Sequence, residues 1–169
     1  VASNGFAVTI DQDINVDTLT NTVANPVTSI PLMTSWTTPE GIVTFSTQFD
    51  TVSYQAWKVF DRNNSTFWFT ANNQLAGWVA YEFTSPKIIT GYLVAGTNST
   101  NSTFKDWTFE AWDGVSWIIL DTVTGNSNGS SVYRSFTNST SYIKYRLNAT
   151  STVGVASYAT LATRSEELV

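Results

Sequence analysis

Residues 54–68, with the sequence YQAWKVFDRNNSTFW, join an aromatic-rich segment to a cluster of polar residues that ends before another aromatic pair. Asp, Asn, Ser and Thr favour tight turns because their side chains hydrogen-bond to nearby backbone groups. The flanking aromatic side chains favour burial in a core. The pattern predicts a short helical turn at residues 54–60, followed by a loop that gathers side-chain oxygens.

Outside this stretch, the chain consists of short apolar or alternating runs separated by Asn, Gly, Ser and Pro. Such runs predict short strands, and helical periodicity is almost absent. Asp113-Gly114 lies between two of the runs and predicts a β-hairpin turn. We therefore expect an antiparallel β-sandwich or jelly roll. The predicted strands are Phe6–Ile10, Ile14–Leu19, Ile42–Phe45, Trp78–Phe83, Ile88–Val94, Trp107–Trp112, Ser116–Thr122, Val132–Phe136, Ile143–Ala149 and Tyr158–Thr163.

The composition argues against several classes of function. The chain has 169 residues and a net charge of -5, with eight Lys and Arg and no Cys or His. Without Cys and His there are no disulfides, no Cys nucleophile, no Ser-His triad and no zinc site built from those ligands. Nucleic acids and anionic membranes attract clustered basic residues, and no run reaches the ~18 apolar residues of a membrane span. We expect neither nucleic-acid binding nor membrane insertion.

The length predicts one domain with a short appendage. We place an N-terminal β extension at residues 1–29 and the main domain at residues 30–169, with Pro26 and Pro31 framing a stiff connector. Two strands alone are only marginally stable in water, so the extension needs the edge of another sheet. That edge belongs either to the sandwich itself or to another subunit. We expect another subunit, because the stiff connector holds the segment away from the sandwich, and this predicts a homo-oligomer or an assembly.

Several blocks in order along the chain resemble the discoidin-like, coagulation-factor C-type jelly-roll family, which has a galactose-binding-like fold. The resemblance covers roughly residues 31–168. It implies an all-β antiparallel sandwich that functions as a binding module and not as an enzyme. No pair of carboxylates in the sequence lies in a recognisable active-site pattern. The blocks are residues 33–46 (MTSWTTPEGIVTFS), 56–68, 77–78, 86–92 (PKIITGY), 105–117 and 141–147 (SYIKYRL).

Residues 33–46, followed by residues 54–61, resemble modules of this family in phage tail and other virion proteins. The resemblance implies an attachment module on a virion tail, fibre or capsid surface, bound to other virion subunits through residues 1–29. Weak binding of cell-surface glycans would gain strength from repeated copies. The alternative is a structural decoration or cement protein that binds other virion subunits and no sugar. Two further hypotheses are that the chain is a secreted protein or an accessory domain of a bacterial glycosidase.

The polar loop after residue 60 is a candidate metal site. Calcium takes six to eight oxygen ligands from carboxylates, amides and carbonyls. The resemblance implies a structural calcium held by Asp61, Asn63 and Thr66, with a carboxylate from the C-terminal strand, Glu167 or its neighbour Glu166. The alternative is that Asp61 and Thr66 cap a turn through hydrogen bonds alone.

Sugar sites in this family lie in loops at one end of the sandwich, which correspond here to residues 70–75 and 97–103. The alternative is that these two loops are ordinary solvated loops that bind no sugar. Of the seven Trp residues, we expect Trp36 and Trp112 to be the less constrained, and Trp36 joins the candidate ligand set. The candidate ligand-binding residues are Trp36, Asn72, Asn73, Gln74, Asn98 and Asn101. The side chains expected in the core are Phe60, Trp68, Trp78, Tyr92, Trp107, Phe109, Trp117 and Tyr145.

Overall fold

The computed structural model describes residues 28–95, 102–127 and 132–154, together with the backbone of residues 162–163 and 165–168. Within these residues the chain forms ten β-strands and one 3-10 helix at Ala56–Phe60. No helix in the described ranges has the length and apolarity that a membrane crossing requires. The strands are β1 Ile42–Phe45, β2 Trp68–Phe69, β3 Gly77–Lys87, β4 Gly91–Ala95, β5 Phe104–Trp112, β6 Trp117–Val123, β7 Val132–Ser135, β8 Tyr142–Thr152, β9 Ala162–Thr163 and β10 Ser165–Leu168.

The strands form a two-sheet antiparallel sandwich, as the sequence predicts. A five-stranded sheet has the order β1-β3-β8-β5-β6, and a three-stranded sheet has the order β10-β4-β7. β2 and β9 form a further antiparallel pair. The predicted extension covers residues 1–29, and residues 1–27, with its two predicted strands, lie outside the described residues. The proposed boundary at residue 29 therefore stays a prediction.

The core lies between the two sheets and is built largely from aromatic rings. Tyr92 of β4 stacks on Phe109 of β5 with 4.5 Å between ring centroids, and Phe109 stacks on Tyr145 of β8 at 5.8 Å. Such offset pairs add to the stabilisation that burial of their apolar area supplies. Six predicted core residues are at most 3% exposed, which confirms their placement: Phe60, Trp68, Tyr92, Trp107, Phe109 and Tyr145.

A chain of hydrogen bonds crosses this core and links both sheets. The indole N–H of Trp107 in β5 donates to the Tyr92 hydroxyl at 2.8 Å, and that hydroxyl donates to Asp121 of β6 at 2.8 Å. The guanidinium of Arg134 in β7 donates two bonds to the same carboxylate, at 2.9 and 2.8 Å. These donors lower the pKa of Asp121, while burial raises the pKa of Tyr92. The buried Trp107 N–H and the buried Tyr92 hydroxyl therefore both have partners, as polar groups in a protein interior require.

Two predicted core positions are wrong: Trp78 and Trp117 are partly exposed and lie on the outer face of the five-stranded sheet. Successive side chains alternate between faces, so burial of Val79 and Tyr81 turns Trp78 outward. Trp117 lies directly opposite Trp112 in the β5–β6 pair, and opposite residues share a face. Trp112 itself points outward because Ala111 points into the core.

The predicted hairpin turn is confirmed between β5 and β6. The Asp113 carboxylate accepts the backbone N–H groups of Val115 at 2.8 Å and Ser116 at 2.7 Å. Gly114 has a φ of 102°, in the left-handed region that glycine tolerates best. This turn sets the register that places Trp117 opposite Trp112.

Candidate functional site

The polar loop after the 3-10 helix gathers oxygens around one hydroxyl. The hydroxyl of Thr66 lies 2.8 and 3.0 Å from the two Asp61 carboxylate oxygens and 2.8 Å from the carbonyl oxygen of Asn63. The Asn63 backbone N–H donates to Asp61 at 2.8 Å. These bonds are the capping arrangement expected as one alternative. Arg62 has a φ of 53°, and its guanidinium donates to the carbonyl of Ile30 at 2.9 Å.

The same oxygens fit the chemistry of a calcium ligand set. Calcium prefers oxygen donors of mixed type, and the loop offers a carboxylate from Asp61, a hydroxyl from Thr66 and a carbonyl from Asn63. No cluster of three or more Asp, Glu, His or Cys side chains occurs among the described residues. Glu167 lies in β10, and this strand contacts the 3-10 helix. Only the backbone of Glu167 is among the described parts of the chain. A structural calcium bound here therefore stays a prediction.

The predicted sugar-binding loop at residues 70–75 presents its amides to solvent. Asn72, Asn73 and Gln74 are all exposed, and Asn73 has a φ of 62°. The loop is held by the Thr70 hydroxyl, which donates to the Gln74 carbonyl at 2.6 Å. Asn98 and Asn101 lie outside the described residues, so the structure does not place them relative to this loop.

Trp36, the remaining predicted ligand contact, packs against the core. Its ring stacks on Phe45 of β1 with 4.9 Å between centroids, and it is partly buried. Its backbone carbonyl accepts the N–H of Val43 at 2.9 Å. The structure thus gives Trp36 a packing role, and its contact with a ligand stays a prediction.

The outer face of the five-stranded sheet holds an open hollow of about 380 Å³. Trp112 of β5 and Trp117 of β6 line one side, with ring centroids 5.3 Å apart and ring planes inclined at 58°. Glu82 of β3 and Lys144 of β8 line the other side and form an ion pair, with Nζ and Oε2 3.3 Å apart. Ile143 completes the lining. The hollow combines aromatic surface with hydrogen-bond donors and acceptors, as small-molecule sites do.

A charged network beside the hollow supports it. The guanidinium of Arg146 lies 4.1 Å from the ring centroid of Trp117 and 5.9 Å from that of Trp78. Its Nε donates to the carboxylate of Glu110 at 2.5 Å. Glu110 is 4% exposed and also accepts from the amide of Asn148 at 3.0 Å. The buried charge is therefore paired and hydrogen-bonded, which a low-dielectric position requires.

Sequence reasoning found Trp112 as an exposed candidate but missed Glu82, Lys144 and Arg146. Alternation along β8 was the available signal, because buried Tyr145 and Leu147 leave Lys144 and Arg146 on the opposite face. Strand order was the missing information. Only the order β3-β8-β5-β6 brings side chains from residues 82, 144, 112 and 117 to one place.

Comparisons with solved structures identify the fold. The family 32 carbohydrate-binding module of Streptococcus pneumoniae EndoD is similar with a TM-score of 0.65 and 15% identity, over 78% of this chain and 96% of that one. Chitosan-binding module 1 of a chitosanase/glucanase from Paenibacillus sp. gives 0.62 and 18%, over 76% and 94%. The family 32 module of C. perfringens NanJ, solved with galactose, gives 0.63 and 11%, over 76% and 92%.

At these identities the likeness shows the fold. The chain has the discoidin-like, galactose-binding-like jelly-roll fold that its sequence blocks resemble. No protein-family model matches the sequence, and no curated protein matches it either.

Proposed function

We propose that this chain is a non-catalytic carbohydrate-binding module. The observation that carries the proposal is the similarity of its sandwich to modules solved with sugars, namely galactose, GalNAc-beta-1,3-galactose and chitotriose. The chain spans more than nine tenths of each of these modules. The protein's own surface offers two places suited to hydroxylated ligands: the exposed amides of the loop at residues 70–75 and the aromatic hollow.

The finer proposal is attachment of a virion to surface glycans through many weak contacts. It rests on the resemblance of residues 33–46 and 54–61 to virion modules of this fold. Linking several weak modules raises the overall affinity by about 10² to 10⁴ without any new contact. Residues 1–29 would provide the anchoring to neighbouring virion subunits. A structural calcium at Asp61 belongs to the same proposal, as a stabiliser of the fold.

A glycan array tests the proposal. The wild-type protein should bind a defined set of glycans when it is presented in multivalent form and bind them weakly as a monomer. A variant with Asn72 and Gln74 changed to Ala and Asn73 changed to Gly measures the loop's contribution to binding. Glycine tolerates the left-handed backbone at residue 73, and these exposed amides can be removed without disturbing the core. Absence of glycan binding in both the monomeric and the multivalent form would refute the proposal.

The second candidate function is a structural subunit that binds other proteins and no sugar. It is favoured by apolar side chains that face solvent near β6, which pairs on one side alone among the described strands. Val115 is 86% exposed and Ile119 is 59% exposed, and exposed apolar groups beside a sheet edge favour protein contacts. Changing Val115 and Ile119 to Ser should then abolish assembly, and the wild-type protein should bind no glycan on the array.

A further inference from the structure

The hollow on the outer face of the five-stranded sheet is separate from the loop at residues 70–75. We propose that it binds an uncharged pyranose ring, held between the paired indoles of Trp112 and Trp117 and the ion pair of Glu82 and Lys144. This inference rests on the proposed glycan-binding function and assigns it to the sheet face.

The aromatic side of the hollow suits the apolar face of a sugar ring. Trp112 and Trp117 come from adjacent strands, so their relative position is set by the backbone pairing of β5 and β6. Both rings are partly exposed. An indole joins a large apolar surface to one N–H donor, which matches a ring with an apolar face and a polar rim.

The polar side of the hollow determines the charge of the ligand. Glu82 supplies acceptors and Lys144 supplies donors, and the two charges balance each other at 3.3 Å. Hydroxyl groups both donate and accept, so a neutral sugar can bond to both side chains without separating them. A uronic acid or a protonated amino sugar would bring an unbalanced charge, and the protein's net charge of -5 further disfavours anions.

The hollow is preorganised by its neighbours. The guanidinium of Arg146 covers the Trp117 ring at 4.1 Å, and Glu110 holds that guanidinium in turn. Arg146 therefore acts as a positioning residue, since it orients the ring without lining the hollow. Side chains held before binding lose little entropy when the ligand arrives. The volume of about 380 Å³ lies in the range of roughly 300–1,000 Å³ that is typical of small-molecule sites.

The test is a titration of the full-length chain, labelled with ¹⁵N at the Trp indoles, with galactose and with the disaccharide GalNAc-β-1,3-galactose. The indole N–H signals of Trp112 and Trp117, assigned with W112F and W117F, should shift. The signal of buried Trp107 should not. W112A should weaken binding at least about tenfold, as truncation of a central aromatic contact does. Ile119→Ser is the matched control on the same face and should bind as wild type does.

Charge variants test the ligand class. Galacturonate and glucosamine should bind more weakly than galactose to the wild-type protein. E82Q leaves Lys144 unbalanced and should shift preference toward galacturonate, whereas K144Q should shift it toward glucosamine. Both side chains are partly exposed, 22% for Lys144 and 37% for Glu82, so these substitutions should keep the fold and remain informative if W112A proves unstable.

Three outcomes would overturn the inference, and they differ in what else they affect. If sugars bind, and only the triple variant of residues 72–74 has a reduced affinity for them, the glycan-binding function stands and the sheet-face site is wrong. If the two indole signals shift with a hexaproline peptide and with no sugar, the hollow takes a peptide. If no sugar binds at all, both the hollow assignment and the proposed function fail.

Discussion

At the scale of single residues, the Asp121 carboxylate accepts three hydrogen bonds and so connects the two sheets. It accepts from Tyr92 and from Arg134, and its side chain is 11% exposed. The hydrogen bonds from Arg134 are the main cause of its lowered pKa, and burial acts in the opposite direction. A carboxylate whose pKa is lower in the folded than in the unfolded chain stabilises the fold only while it is ionised.

We therefore expect stability to fall in acid. The contribution of Asp121 is complete above the unfolded pKa, about 3.9, and it is lost as the pH falls through the lower folded pKa. Urea unfolding measured from pH 7 down to pH 2 should show this loss as a fall in the free energy of unfolding. In D121N, the free energy of unfolding should depend less steeply on pH below about pH 4. E40Q, which changes an exposed carboxylate, is the control. An equal slope in D121N and wild type would contradict the assignment.

The loop oxygens of Asp61 lead to a prediction about calcium. If the ion binds the folded chain alone, added calcium raises the melting temperature and a chelator lowers it. D61A should abolish the response. D113A is the matched control, because Asp113 also caps a turn through backbone N–H groups but lies in the β5–β6 hairpin. A melting curve indifferent to both calcium and chelator would leave the capped turn as the whole explanation.

At the scale of elements, the pairing of β5 with β8 at the centre of the large sheet carries the buried pair of Glu110 and Arg146. Removing one partner leaves a charge without compensation in a site of low dielectric. Removing both can cost much less, because the desolvation penalty disappears with the charges.

A double-mutant cycle measures this coupling by urea unfolding. E110L and R146M should each cost about 3–5 kcal/mol of unfolding free energy, and the double variant should cost clearly less than their sum. The matched cycle uses E82Q and K144M, which break the more exposed pair on β3 and β8, and its coupling should be at most about 1 kcal/mol. Additive effects at Glu110 and Arg146 would show that the pair is not coupled.

The elements also show what sequence reasoning could and could not predict. Alternation and turn residues predicted β1 and the β5–β6 hairpin, because those signals are local. The two-residue strand β2 was not predicted. No alternating apolar pattern marks the polar strand β10, and only the family resemblance implied a strand there, as the source of a carboxylate from Glu166 or Glu167. The outward position of Trp117 depends on register across the hairpin, and the hollow depends on strand order. Both are long-range properties that no short window of sequence contains.

At the scale of the whole molecule, the aromatic core determines stability. Trp107 is 1% exposed and supplies both a large apolar surface and the N–H that bonds to Tyr92. Its position on β5 brings it against Phe104, with 6.1 Å between ring centroids. The cost of truncating such a side chain includes the lost burial and the cavity left behind.

Trp107→Ala should lower the unfolding free energy by about 3–5 kcal/mol, measured by urea denaturation. The control is Trp57→Ala on the 3-10 helix, where the ring is only partly buried, and it should cost less. Equal effects at the two positions would show that the core is not centred on β5.

The hydrogen-bond chain from Trp107 through Tyr92 and Asp121 to Arg134 has a mechanical consequence. Two purely apolar sheets could slide over each other by one residue pair at small cost, because hydrophobic contact has no direction. Here such a slip would leave the buried Trp107 N–H and the buried Tyr92 hydroxyl without hydrogen-bond partners in the interior. The two sheets therefore keep their relative position when a shear force acts between them. An outer surface on one sheet would keep its shape when a tensile load is applied through the other.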